Sequence, residues 1–290
     1  MKKRLFAAAM ALCMMTLMLS ACGGGSGSDG KDAADAGEKT YTIKFGHVES
    51  EDRSIHRAAL EFKKYIEEES DGHLLVEVYP NATLGGDVQL TESVSQGTIQ
   101  MATPTTSTMT MYDSKWDILD MPFIFDSAES CFAALDGELG QQLADTLTAQ
   151  NIKVMGYDYN GARSMTNSKH PINVPEDLAG MKVRVMESPV FIDLFQTLGA
   201  NATPMAYSEL FTGLQQGTVD AQENGPSVVY VTKFQEVQDY FSLTEHVHSP
   251  FVIITNMDFY NSLPQEYQEL LTEATQKWMI DWQRAEEIAD

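Results

Sequence analysis

Between Tyr41 and Tyr79 the spacing of apolar residues changes twice, and this restricts the possible folds more than any other feature of the chain. Tyr41, Ile43 and Phe45 alternate with polar neighbours, the period of a half-buried strand. From Asp52 to Ser70 the apolar residues Ile55, Ala59, Phe62 and Ile66 recur at helical spacing, and Asp71-Gly72 ends the run. Leu74, Val76 and Val78 then alternate again, closed by Pro80-Asn81. A strand, a helix and a strand in that order describe a crossover unit with parallel strands.

The same alternation continues. Gly85-Gly86 precedes a helix, and Thr98 to Ala102 reads as a short buried strand. Two helices fill Ser127 to Gln150, and Asn151 to Tyr157 and Ala162 to Asn167 read as two strands. Lys182 to Met186 is a strand, and Pro189 to Leu198 is a helix with Pro in its first turn. Ala206 to Gln216 reads as a helix, Val219 to Gln222 and Phe251 to Thr255 as strands, and Gln265 to Ala289 as one long helix. The expectation is an α/β chain with largely parallel sheets.

The N-terminus follows different rules. Lys2, Lys3 and Arg4 precede an apolar run from Leu5 to Leu19, which is shorter than the roughly 20 residues needed to span a bilayer. A basic flank, a short apolar run and small residues at Ser20-Ala21 read as a secretory signal peptide, residues 1–21. Leu19-Ser20-Ala21-Cys22 is similar to a bacterial lipobox, in which Cys22 is lipidated and becomes the new N-terminus. Diacylglycerol with an N-acyl chain supplies the multiple chains that stable anchoring requires. Residues 22–40 are rich in Gly, Ser, Asp and Ala and read as a flexible tether. Cys13 leaves with the signal and Cys22 carries lipid, so Cys131 is a lone thiol and the fold depends on its apolar core.

Charge narrows the partners. Nineteen Lys and Arg stand against 42 Asp and Glu, a net charge of -23 that becomes -26 once Lys2, Lys3 and Arg4 are removed. That balance excludes nucleic acid, which needs clustered cations. It also excludes a basic membrane-docking surface. Walker, dinucleotide-binding, Gly-x-Ser-x-Gly and His-Glu-x-x-His motifs are absent, and no cofactor is expected. His246 and His248 are the only close histidine pair, too little for a metal site. Weight moves from enzyme to binding protein.

Five arginines follow the signal: Arg53, Arg57, Arg163, Arg184 and Arg284. Arg53 and Arg57, one helical turn apart among acids, read as a solvated face, as does Arg284. Arg184 lies between Val183 and Val185 in a short strand, so it points away from both. If both faces are covered, the charge needs a partner, because an unpaired buried cation costs several kcal/mol. A protein carboxylate or a ligand carboxylate would serve, and the residues alone favour the former.

Five segments carry a family resemblance: LGGDVQLTESVSQGTIQM (84–101), MPFIF (121–125), RSMTNSKHPI (163–172), DLAGMKVRVMESPVF (177–191) and PMAYSELFTGLQQGTVDAQENG (204–225). In this order they resemble the solute receptors of TRAP transporters, the DctP family of extracytoplasmic binding proteins. The resemblance implies a periplasmic-binding-protein-like fold: two α/β domains around a ligand cleft, with hinge strands and a long C-terminal helix. Domain I would comprise 41–160 plus 249–290, and domain II 161–248. It implies no chemistry, but capture of a small organic acid ligand by cleft closure and delivery to TRAP membrane permease subunits driven by a sodium gradient. The protein would lie outside the cytoplasmic membrane, lipid-anchored to its outer face or in a periplasm.

The family's principal carboxylate-binding Arg falls on Arg184, its second cleft Arg on Arg163 and its cleft Asn on Asn224. Planar guanidinium geometry matches two carboxylate oxygens, and an amide both donates and accepts. Ala221 stands where Gly is common and Gly225 where Pro is common, a departure in the local turn. The remaining wall would come from His47, Glu49 and Ser54, from Thr103 to Thr108 with Thr105 at its centre, and from Tyr207. Phe191 is better read as core. Glu49 would repel a second carboxylate and accept bonds from hydroxyls, which tilts the expectation toward a uronate or aldonate over a C4-dicarboxylate. The alternatives are a receptor for an ABC importer or a sensor, and less so a secreted α/β hydrolase. The family continues into further C-terminal helical structure, so a truncated sequence is expected at Asp290.

Overall fold

The computed structural model describes residues 39–290. The signal, tether and lipidation expectations lie outside the described residues.

The first crossover unit forms as the periodicity requires. Strand β1 (Tyr41–Gly46), helix α1 (Ser54–Glu69) and strand β2 (Leu74–Tyr79) follow one another, and β1 pairs with β2 in parallel. Ile55, Ala59, Phe62 and Ile66 are fully buried on one side of α1. Helix α2 (Asp87–Ser95) leads to the short strand β3 (Met101–Ala102), which pairs with the other edge of β1. Two 3-10 stretches, Thr106–Met111 and Ser114–Asp120, lead into α3 (Ala128–Leu135) and α4 (Glu138–Thr146).

The chain then leaves this lobe on β4 (Ile152–Asn167) and returns on β8 (Tyr240–Asn256), strands of 16 and 17 residues. Between them lie β5 (Lys182–Val185), α5 (Pro189–Thr197), β6 (Asn201–Pro204), α6 (Tyr207–Gln215), β7 (Ala221–Asn224) and α7 (Pro226–Val231). Helices α8 (Met257–Ser262) and α9 (Gln265–Ala274) follow. A π-helical stretch, Thr275–Trp282, joins α9 to α10 (Gln283–Ala289). All eight strands form one sheet in the order β2-β1-β3-β8-β4-β7-β5-β6.

Three expectations need correction. The segments around Asn160-Gly161 are not two strands: β4 runs through, and Gly161, at φ +95, occupies a register shift that an L side chain would strain. Strand β8 begins at Tyr240, eleven residues before the expected start, because its first half is polar on one face and carries no apolar run. The sheet is mixed: the outer pairs are parallel, but β3–β8, β8–β4 and β4–β7 are antiparallel.

Two lobes hang on this sheet. In the first, Phe251 and Ile253 of β8 join Ile43, Phe45, Phe62 and Leu271 on one face, while Val252 and Ile254 join Leu90, Trp116 and Leu135 on the other. Alternate residues of one strand therefore enter two cores, which is why β8 is apolar throughout this half. Each such buried side chain contributes roughly 1.5–3 kcal/mol. In the second lobe α5 packs over Met165, Val183, Val185 and Val247, and α6 and α7 pack against Phe234 on the opposite side. Among the described residues no helix is long and apolar enough to cross a membrane.

Candidate functional site

Strand alternation decides where Arg184 goes. Val183 and Val185 are fully buried in the α5 core, so Arg184 must project from the other face of β5, toward the gap between the lobes. Two adjoining cavities lie there, of about 70 and 20 Å³. The smaller is lined by Glu49 and Thr105 from the first lobe, by Asn160 and Arg163 from β4, and by Arg184, Tyr207 and Asn224 from the second lobe. Six of the residues expected at the site, Glu49, Thr105, Arg163, Arg184, Tyr207 and Asn224, thus meet around one space.

His47 does not join them. It is fully buried behind the wall, its Nε2 3.1 Å from His56 Nδ1. Burial, with His56 alongside, lowers its pKa to about 3, so the ring is neutral. Ser54 faces the C-terminal helix, donating to Glu287. Phe191 is fully buried in the α5 core, as expected, with the Arg163 guanidinium 5.6 Å over its ring. Asn224 keeps its place at the end of β7 despite the departure at Gly225, and its Nδ2 donates to Gln222 at 2.7 Å.

The two cleft arginines differ in their partners. Arg163 is closed onto Glu223, with Nε and Nη2 donating to the two carboxylate oxygens and Nη2 also to the Glu223 carbonyl at 2.6 Å. Burial alone would raise the Glu223 pKa, but Arg163 and the nearby His246 hold it down to about 2. Arg184 is only 3% exposed and donates Nε to the Met205 carbonyl at 2.9 Å. Among the described residues no carboxylate forms an ion pair with it. Desolvation lowers its pKa to about 10, which leaves it protonated at neutral pH.

Sequence reasoning missed Asp87. As the first residue of α2 it reaches both cavities and accepts from Thr105 N–H at 3.3 Å. Part of its surface opens to the cleft, yet surrounding protein and Glu49 push its carboxyl up to about 7. The signal was present, since Gly85-Gly86-Asp87 opens a segment of the family resemblance. Burial likewise raises Glu49, while Arg53 opposes the shift. Arg53 and Arg284 are corrections as well. Both are buried, 1% and 7% exposed: α10 lies across Arg53, and Arg284, on α10 itself, is packed over the Phe132 ring and donates to the Tyr157 carbonyl. Arg53 pairs with Glu49 and Glu287, and Arg284 with Asp136.

A larger apolar groove of about 570 Å³ lies on the second lobe, lined by Phe123, Ile172, Leu194, Phe195 and Leu243 among others. It holds no Arg or Lys to grip a carboxylate, and the small polar cavities, lined by two arginines, are the better site. Among the described residues no cluster of His, Cys, Asp and Glu could hold a metal ion.

Residues 45–289 match the model of the DctP family, bacterial extracellular solute-binding protein family 7. The chain belongs to this family. The 2,3-diketo-L-gulonate-binding periplasmic protein of Escherichia coli is 36% identical over 236 residues, covering 81% of this chain and 72% of that protein. The sugar acid binding protein of Advenella mimigardefordensis, solved in complex with galactonate, has 35% identity and a TM-score of 0.84, covering 87% of this chain and 81% of that one. A TRAP periplasmic solute-binding protein of Sulfurospirillum deleyianum, solved with bound succinate, has 32% identity and a TM-score of 0.83 over the same shares. The two-lobed α/β fold and long C-terminal helix are those of the TRAP solute-binding proteins. Family 7 is a family of receptors, not of enzymes, and the cleft offers a family 7 protein cations, hydroxyls and amides, the equipment of recognition.

Proposed function

We propose that this family 7 protein captures a small organic carboxylate between its lobes, and that Arg184 is the residue that grips it. The supporting observation is the contrast between two buried guanidinium groups in one cleft: Arg163 is in direct ion-pair contact with Glu223, and among the described residues no carboxylate is in such contact with Arg184. A ligand carboxylate would supply the missing charge through two parallel N–H···O bonds. Asn224 and Tyr207 would then bond the same ligand's oxygens.

The ligand we favour is a hydroxylated monoacid, a uronate or an aldonate. Asp87 and Glu49 face the cavities beside Arg184; a carboxyl accepts bonds from ligand hydroxyls, and whenever it is ionised it also repels a second carboxylate. Thr105 adds a further hydroxyl. The galactonate-bound relative supports this reading, while the succinate-bound relative keeps a C4-dicarboxylate next in line. Titration calorimetry with D-galactonate, D-glucuronate and succinate tests it, and binding of succinate without either sugar acid would reverse the order.

Closure would bring 41–160 plus 249–290 against 161–248, bending where β4 and β8 cross between lobes. Lipidated Cys22 would hold the receptor at the outer face of the cytoplasmic membrane, and the loaded form would pass its ligand to TRAP permease subunits. Loss of membrane retention in Cys22→Ala cells checks the anchor.

A further inference from the structure

Arg53 stands at the only place among the described residues where one side chain holds a cleft residue and also reaches from the first lobe to the second through α7. Its Nε donates to Glu49 Oε2 at 3.0 Å. Its Nη2 donates to Asn160 Oδ1 at 2.8 Å, on the strand that runs between the lobes. Its Nη1 donates to Glu287 Oε1 at 3.0 Å, on α10, and to Ser227 Oγ at 2.5 Å, on α7 of the second lobe. Ser227 in turn donates to Glu287 Oε1 at 2.5 Å. The other Glu287 oxygen accepts from Ser54, which is bonded to Gln283, whose amide is clamped on the backbone of Tyr159.

We propose that Arg53 is a positioning residue that performs two tasks with one guanidinium: it aims Glu49 into the cleft, and through Ser227 it latches the second lobe in the closed position. The proposal rests on reading the cleft as the ligand site. Three facts carry it. The guanidinium is fully buried, so each N–H needs a partner and none can be replaced by water. Glu49 is bonded to Arg53 through one oxygen and lines the cavity, so its orientation follows that of Arg53. Ser227 belongs to α7, whose Val228 and Val229 pack into the second lobe's core, so moving the lobes apart pulls Ser227 from both Arg53 and Glu287. Opening therefore costs two bonds to charged groups at a position outside the cavity lining. The same motion leaves Glu49 held by a guanidinium with one partner fewer.

The test separates the latch from the ligand assignment. Spin labels on Lys64→Cys and Gln215→Cys, both exposed and one on each lobe, report lobe separation in the ligand-free protein. Cys131 is buried and stays unlabelled. The expected result is a longer mean separation in Ser227→Ala than in the unsubstituted chain, restored by Ser227→Thr, which keeps the hydroxyl. D-galactonate is the probe in a second arm. Its release should quicken roughly tenfold or more in Ser227→Ala, the scale of a lost bond to a charged group. Arg53→Met should quicken it further and also reduce the preference for galactonate over acetate, because Glu49 is no longer aimed. Unchanged separation in Ser227→Ala overturns the latch whatever the ligand proves to be. If galactonate and all other carboxylates fail to bind the unsubstituted protein, the cleft reading falls, and the separation measurement still judges the latch.

Discussion

Arg163 and Arg184 line the same cavity, and only Arg163 is in ion-pair contact with Glu223. The asymmetry arises from the strands that carry them. Arg163 on β4 lies beside β7, and Ser164 pairs with Asn224 there, so Arg163 is within reach of Glu223. Arg184 on β5 has β6 as its outer neighbour, and its Nε meets a backbone carbonyl instead of an acid. A buried cation in this state is a standing demand for an anion.

Arg184→Ala should therefore cost about 3 kcal/mol or more of ligand affinity, the scale of a desolvated charge pair losing one member. The fold should be unharmed or slightly stabilised, because an uncompensated buried charge is removed. Calorimetric titration beside a thermal melt reads both quantities. Unchanged affinity would remove Arg184 from the site.

Asp87→Asn removes a carboxylate from the wall of the cavities and keeps its size. At pH 8, where the Asp87 carboxyl is ionised, succinate binding should strengthen about tenfold relative to the parent, while D-galactonate should gain less or weaken, since it loses a charged acceptor for its hydroxyls. The ratio of the two affinities is the measurement. A ratio that does not move would show that Asp87 plays no part in selecting the ligand.

Glu223→Gln leaves Arg163 buried without its counter-charge. Removing one member of a buried pair typically costs 3–5 kcal/mol, and a fall in the denaturation midpoint by an equivalent amount is expected. Arg163→Met together with Glu223→Gln should recover part of that loss, which a double-mutant cycle would reveal.

Asp158 is fully buried, and desolvation pushes its pKa up to about 7. A carboxyl whose pKa is raised by folding favours the native state below its ordinary range, and that benefit is lost as pH rises toward 7. Glu223 and His47 act in the opposite sense, each favouring the native state less as the solution is acidified. The informative quantity is thus a difference: Asp158→Asn should gain stability over the parent on going from pH 5 to pH 8, on the order of 2–3 kcal/mol by linkage, since part of the penalty has already accrued below pH 5. A constant difference between the two melting curves across that range would count against the burial argument.

The sequence was most readable where one physical demand dominated. Period-2 and period-3.6 spacing defined β1, α1 and β2 almost to the residue, because each has one buried face. The first half of β8 was invisible for the opposite reason: from Tyr240 to Glu245 its side chains are largely exposed, and only pairing with β4 makes it a strand. At the site, the direction of Arg184 was legible from its two valine neighbours, while its ligand role, like the places of Asn224, Arg163, Glu49, Tyr207 and Thr105, came from family position. Arg53 was misread because its neighbours Glu51 and Asp52 look like a solvated surface. What buries it is α10, more than 220 residues away, and local patterning carries no record of so distant a cover.

The first lobe also sets a timetable. Its core joins Ile43 and Phe45 to Phe251, Leu271 and Ile280, so β1 waits for β8 and the helices that follow it before it can be covered. The second lobe, by contrast, is an excursion that starts on β4 and ends on β8, with its two connections side by side. During synthesis it can reach its fold while the first lobe is still open. A nascent chain built this way keeps part of its apolar surface unburied until β8 and the helices that follow it have been made.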